Sequence, residues 1–150
     1  MTIKTKRFFK NKLVRDNMLE VFAKEGSIPA YTILNDDNDF LEAVTQKLIE
    51  EMQEVFSSED LEELVDELAD FETILEEFKA LLKIEQKTID AVRAKKLAEK
   101  GGFKKRILLE HIDVPLANKE LIEYYEEEAE RIPEFDLESL GIDEDDEETD

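Results

Sequence analysis

Two helical runs of apolar residues, separated by only a few positions, constrain this chain more than any other feature. Leu41, Val44, Leu48, Met52, Val55 and Phe56 recur at helical spacing, and so do Leu61, Leu64, Val65, Leu68, Phe71, Leu75, Phe78 and Leu82. Such spacing gathers apolar side chains along one side of an α-helix. The run Asn35, Asp36, Asp37, Asn38 offers several N-caps for a first helix over about 39–56. Ser57 and Ser58 interrupt it, and Ser57 with Asp60 resembles a capping box for a second helix over about 59–82. Antiparallel packing of the two apolar faces brings their flanks together.

Each run carries an acidic pair at i,i+3: Glu51 with Glu54, and Glu67 with Asp70. Residues three apart lie on the same side of a helix, so each pair can present two carboxylates to one point. Acids are common here, with 41 Asp and Glu in 150 residues. Chance alone would give roughly eleven such pairs, so spacing by itself is weak and angular position must decide. At 100° per residue, Glu51 and Glu54 lie about 80° and about 140° from the centre of their apolar face. Glu67 and Asp70 lie about 70° and about 130° to the same side of theirs. The matched offsets allow four hard oxygen ligands to converge on a cation, for which Mg²⁺ or Mn²⁺ is the natural choice. Glu50, Glu63 and Asp66 lie farther from the apolar faces and read as supporting or solvated groups. The geometry alone leaves a metal site and a solvated acidic flank both open.

Composition removes other chemistries. The chain has no Cys and a single His, His111, which excludes disulfides and thiolate zinc sites and disfavours a His-based centre or a Ser-His triad. No apolar run approaches the roughly 18 residues of a membrane span, and "MTIKTKRFF" has a basic start with no apolar stretch behind it, so a cytoplasmic protein is expected. The net charge of −21 argues against general nucleic-acid binding. That charge is uneven: residues 1–15 hold six Lys or Arg and no acid, residues 93–106 hold seven against Glu99 alone, and residues 134–150 hold ten acids and no base. Acidic helices with two separate basic segments can hold a metal and a polyphosphate together, although basic segments that merely balance an acidic body fit the charge equally well.

Elsewhere the chain reads as a short helix over about 13–25 stopped by Gly26, a fourth over about 86–99 ended by Gly101 and Gly102, and another over about 118–131 with a narrow stripe of Leu121, Ile122, Tyr125 and Ala129. Tyr31 to Leu34 follow Pro29 and are candidates for extended structure. "KRILLEHI" alternates poorly but is a candidate strand, with 106–109 open to pairing with 31–34. Phe103 and Tyr31 are expected in the core rather than stacked on a base.

"KLIEEMQEV" followed by "DELADFETIL" resembles the E-E-x-x-E … E-x-x-D signature of the all-α nucleoside triphosphate pyrophosphohydrolases, the MazG and phosphoribosyl-ATP pyrophosphohydrolase-like proteins. "NKLVRDN" near the start and "KKLAEKGGFKKRILLE" near position 100 are similar to a subgroup that opens with N-K-L-V-R-D and closes with G-G-F-x-K-R-I. The similarity covers roughly residues 9–110, and the three segments in order are more specific than the acidic motif alone. It departs from the subgroup where Met18 and Leu19 replace a common Ile-Pro, and beyond about residue 112 it has no counterpart.

The resemblance implies an all-α fold on a four-helix core, often completed by association of subunits, and hence a homo-oligomer, dimer or tetramer. It implies Mg²⁺-dependent cleavage of a nucleoside triphosphate to monophosphate and pyrophosphate, with Mn²⁺ as a substitute. Glu51, Glu54, Glu67 and Asp70 would be metal ligands, and Glu50, Glu51 and Glu54 the carboxylates at the reaction. Lys12, Arg15, Lys47, Lys104, Lys105 and Arg106 are candidates for substrate phosphate, with an i,i+4 ion pair to Glu51 the simpler role for Lys47. Residues 1–112 would form the pyrophosphohydrolase domain and 113–138 an additional helical segment, with 139–150 an acidic tail too poor in apolar residues to fold alone. Two other readings stand beside this one: a nucleotide- or metal-binding relative without turnover, and a non-catalytic acidic protein that engages a basic partner.

Overall fold

The computed structural model describes residues 2–130. Among them the fold is all-α, with five helices: α1 (Met18–Lys24), α2 (Asp37–Ser57), α3 (Leu61–Leu81), α4 (Gln86–Lys100) and α5 (Lys119–Glu130). No helix among the described residues is long and apolar enough to cross a membrane. The expected acidic tail at 139–150 lies outside the described residues. The chain divides into two units, Met1–Asp90 and Ala91–Asp150, with the divide inside α4.

In the first unit, α2 and α3 pack against each other as a hairpin. The short connection from Ser58 to Asp60 forces them antiparallel. Of the four polar residues offered before α2, Asp36 is the cap: its carboxylate accepts from the backbone N–H of Asn38 and Asp39. At α3 the capping box forms around Asp60 rather than Ser57. Asp60 accepts from Glu63 N–H, while the Glu63 carboxylate reaches back to Glu59 N–H. Ser57 instead belongs to the last turn of α2, its hydroxyl donating to the Gln53 carbonyl.

The expected apolar faces are only partly covered. Leu41 and Val44 are buried, whereas Met52, Phe56, Leu61, Val65 and Leu68 are exposed. The reason is geometric: each apolar stripe is about 100° wide, and one neighbouring helix covers only a seam of it. Burial of a side chain such as Val44 contributes roughly 1.5–3 kcal/mol, so this seam is a small core.

The turns that follow α1 and α3 both use the left-handed backbone region. After α1, Gly26 has φ 80°, donates to Ala23 O, and Ser27 donates to Phe22 O, which closes the helix. After α3 the same pattern recurs with Lys83 at φ 56°, its N–H on Ala80 O and Ile84 N–H on Lys79 O. Buried Lys79 donates to the Glu76 carboxylate and, at 2.6 Å, to Gln86 Oε1, which ties the end of α3 to the start of α4.

Three expectations are corrected. Helix α1 begins at Met18 rather than near residue 13; the residues before it are irregular, with Lys12 and Arg15 paired to Glu50 and Asp70, and Asn17 makes no side-chain cap. Neither 31–34 nor 106–109 forms a strand. Tyr31, Ile33, Ile107, Leu108 and Leu109 are all exposed, so neither segment has a buried face to fix a strand register. Phe103 and Tyr31 are not core residues, at 96% and 63% exposed; each sits in an irregular segment outside the helices.

In the second unit, α4 ends at Gly101, whose N–H donates to Leu97 O at φ 77°. Asn118 caps α5 through Leu121 N–H, and Leu121, Ile122 and Tyr125 form its half-buried stripe.

Candidate metal centre

Helix α2 presents Glu51 and Glu54 one turn apart, and α3 presents Glu67 opposite them. One carboxylate oxygen from each of these three residues lies within 4.8 Å of the others. Glu51 is buried, Glu67 half-buried and Glu54 exposed, so the cluster has a closed side and a side open to water. Asp70, expected as a fourth member, is outside this group. Its Oδ1 is held 2.5 Å from Arg15 Nη2, across 55 positions of sequence.

The cluster is short of positive charge and of donors. Two carboxylates this close repel by about 3–4 kcal/mol at an effective dielectric near 20. Glu51 Oε2 and Glu67 Oε2 are buried with no hydrogen-bond partner. A buried acceptor without a donor costs about 1–3 kcal/mol, and such atoms need a reason. A cation bound between them removes both problems, and an all-carboxylate oxygen set suits a hard divalent ion such as Mg²⁺. The residues present therefore fit the group.

Three cations pair with carboxylates of α2 and α3, one of them with a cluster member. Lys47 Nζ lies 2.5 Å from Glu51 Oε1 and 3.4 Å from Glu50 Oε1, which is the i,i+4 pair anticipated from the sequence with an i,i+3 contact added. Burial acts to lower the Lys47 pKa, but the hydrogen bond to Glu51 and the charges of Glu51 and Glu50 outweigh it, and the net shift is upward. Lys12 Nζ reaches Glu50 Oε1 at 2.9 Å. That hydrogen bond holds the Glu50 carboxyl below its ordinary range against the opposing effect of burial, with Lys47 adding to it. Counted at formal charge, five carboxylates (Glu50, Glu51, Glu54, Glu67, Asp70) face three cations (Lys12, Arg15, Lys47). The difference of two negative charges equals the charge of one divalent ion.

Lys12 and Arg15, candidates for phosphate contact, thus stand on carboxylates next to the cluster. Lys104, Lys105 and Arg106 are exposed in the second unit. What sequence reasoning missed is the use of Lys12 and Arg15 as partners of Glu50 and Asp70; the only signal was a basic, acid-free first segment in an acid-rich chain. No family model, curated protein or solved structure matches the chain.

Proposed function

We propose that the chain is a divalent-metal-dependent nucleoside triphosphate pyrophosphohydrolase of the MazG-like kind. The observation that carries this reading is the Glu51, Glu54, Glu67 cluster with two buried, unpartnered oxygens aimed at no donor. The three glutamates would hold Mg²⁺, and Mn²⁺ in its place. When bound, such an ion supplies charge neutralisation for a polyphosphate and acidifies a coordinated water.

The chain's own residues do the rest. Lys47 keeps the buried Glu51 carboxylate compensated and oriented. Glu50, paired with Lys12 and Lys47, stays anionic and would act as an accessory carboxylate that holds both lysines beside the metal ligands, its lowered basicity making it a weak proton acceptor. Lys12 and Arg15 place positive charge where the anionic triphosphate approaches. Water is added across the bond between the α and β phosphates, and monophosphate and pyrophosphate leave.

The reading includes association with a second copy of the chain. Ile49, Met52 and Phe56 form one exposed stripe on α2, and Leu61, Val65 and Leu68 form one on α3. A two-helix hairpin does not close a core, while two hairpins make four helices with a shared one. The test of function is a panel of nucleoside triphosphates with Mg²⁺, followed by ³¹P NMR. Monophosphate with equimolar pyrophosphate supports the reading; diphosphate with orthophosphate overturns it. Metal binding without turnover of any nucleotide would favour the non-catalytic relative, a reading to which the diversion of Asp70 onto Arg15 lends some support.

A further inference from the structure

Asp70 lies one turn along α3 from Glu67, on the same side of the helix, yet its carboxylate is turned to Arg15. The pair is solvent-exposed, at 61% for the Arg15 side chain and 36% for Asp70. Exposed ion pairs are weak, so the pair can exchange partners at little cost. The Arg15 carbonyl accepts from Met18 N–H at the start of α1, a local turn that does not involve the Arg15 side chain. Three residues earlier Lys12 is held by Glu50, so the segment touches the acidic helices at two points. With Lys12 still on Glu50, the guanidinium can leave Asp70 while the segment keeps a contact with the hairpin.

We propose that Arg15 is a resident competitor for the metal ion: it occupies Asp70 when no ion is bound, and Asp70 passes from the guanidinium to the ion when the site fills. This rests on the metal-centre reading above and adds to it a regulation of that site. The exchange raises the ligand count from three carboxylates to four and frees a guanidinium at the rim at the moment the ion arrives. Ion binding and the readiness of the rim for an anion are thereby coupled through one carboxylate.

The test is Mn²⁺ titration of the full chain by calorimetry, with Mn²⁺ alone as probe. The proteins are wild type, Arg15→Gln, Asp70→Asn, the double variant, and Lys12→Gln in both backgrounds. Folding is checked by circular dichroism; both basic side chains are exposed enough to replace. Arg15→Gln should tighten Mn²⁺ binding by about two- to five-fold, the scale of an exposed ion pair. In the Asp70→Asn background that gain should disappear. Lys12→Gln removes the same charge but leaves Arg15 in place, so any Asp70-dependent part of its effect, from a loosened segment, should be smaller than that of Arg15→Gln. An Arg15→Gln gain of equal size in the Asp70→Asn background would mean simple charge repulsion, and would overturn the proposal. So would weaker binding in Arg15→Gln, or an Asp70-dependent Lys12→Gln effect as large as that of Arg15→Gln. Wild type and Arg15→Gln binding Mn²⁺ no better than Glu51→Gln would overturn the metal centre itself, and the proposal with it.

Discussion

Lys47 and Glu51, one turn apart on α2, form an ion pair in which Nζ sits 2.5 Å from Oε1 while the other carboxylate oxygen has no partner. Half of a buried carboxylate is thus compensated and half is left for something else. Replacing Lys47 by Met strips the compensated half. In a chelator this should cost roughly 1–3 kcal/mol of unfolding free energy, the penalty for a buried group left without its partner. Saturating Mg²⁺ should recover part of that loss, because the ion then neutralises Glu51. Urea unfolding of both proteins, with and without Mg²⁺, measures the difference. An equal loss in both conditions would mean that Lys47 acts independently of the cluster.

Ion binding should itself stabilise the chain. At a Mg²⁺ concentration a hundred times the dissociation constant, linkage gives about 2.7 kcal/mol. For a cooperative unit of this size that corresponds to a rise in Tm on the order of 10 °C. Glu54→Gln relieves the repulsion among the three carboxylates, so it should hold or raise the Tm in chelator and remove the Mg²⁺-dependent rise. A rise that survives in Glu54→Gln would place the ion elsewhere.

Lys83 closes α3 at φ 56°, where Gly26 closes α1 at φ 80° by the same hydrogen-bond pattern. A left-handed conformation costs a residue with a Cβ about 1–2 kcal/mol, part of which glycine gives back in unfolded-state entropy. Lys83→Gly should therefore stabilise the chain by about 0.5–1 kcal/mol. A destabilised variant in thermal unfolding would show that the Lys83 side chain does more than its backbone conformation suggests.

The apolar stripe of Leu61, Val65 and Leu68 predicts assembly. In sedimentation the chain should run as a dimer or larger, and Leu61→Glu with Val65→Glu should run as a monomer. Both residues are exposed in the single chain, at 75% and 59%, so the double variant should still fold as a helical protein. A monomeric wild type would remove the second copy from the picture.

The parts legible in the sequence are those with a local cause. Helices α2 and α3 were readable because an apolar stripe marks each of them and a polar run precedes α2, and the matched offsets of Glu51 and Glu67 placed both at the seam; the cap of α3 reads from the sequence as Ser57, three residues before Asp60, which holds it. The fate of Asp70 was not readable, because it depends on an ion pair from Arg15, 55 positions away, which leaves no mark on local periodicity; the Lys12–Glu50 pair, across 38 positions, was hidden in the same way. The strand pairing failed for the opposite reason: β-branched and apolar residues at 31–34 and 106–109 gave a local signal, and no buried face answered it. Core membership was overestimated at Phe56 and Leu61 because periodicity reports which side of a helix is apolar, not whether anything within the same chain covers it.

The most direct measurement is anomalous diffraction from crystals of the protein grown with Mn²⁺. One anomalous peak is expected between the carboxylates of Glu51, Glu54 and Glu67, within bonding distance of an oxygen from each, and absent from crystals of Glu51→Gln. A peak at another group of acids, or no peak at this cluster in Mn²⁺-saturated crystals, would contradict a metal centre on the α2–α3 hairpin.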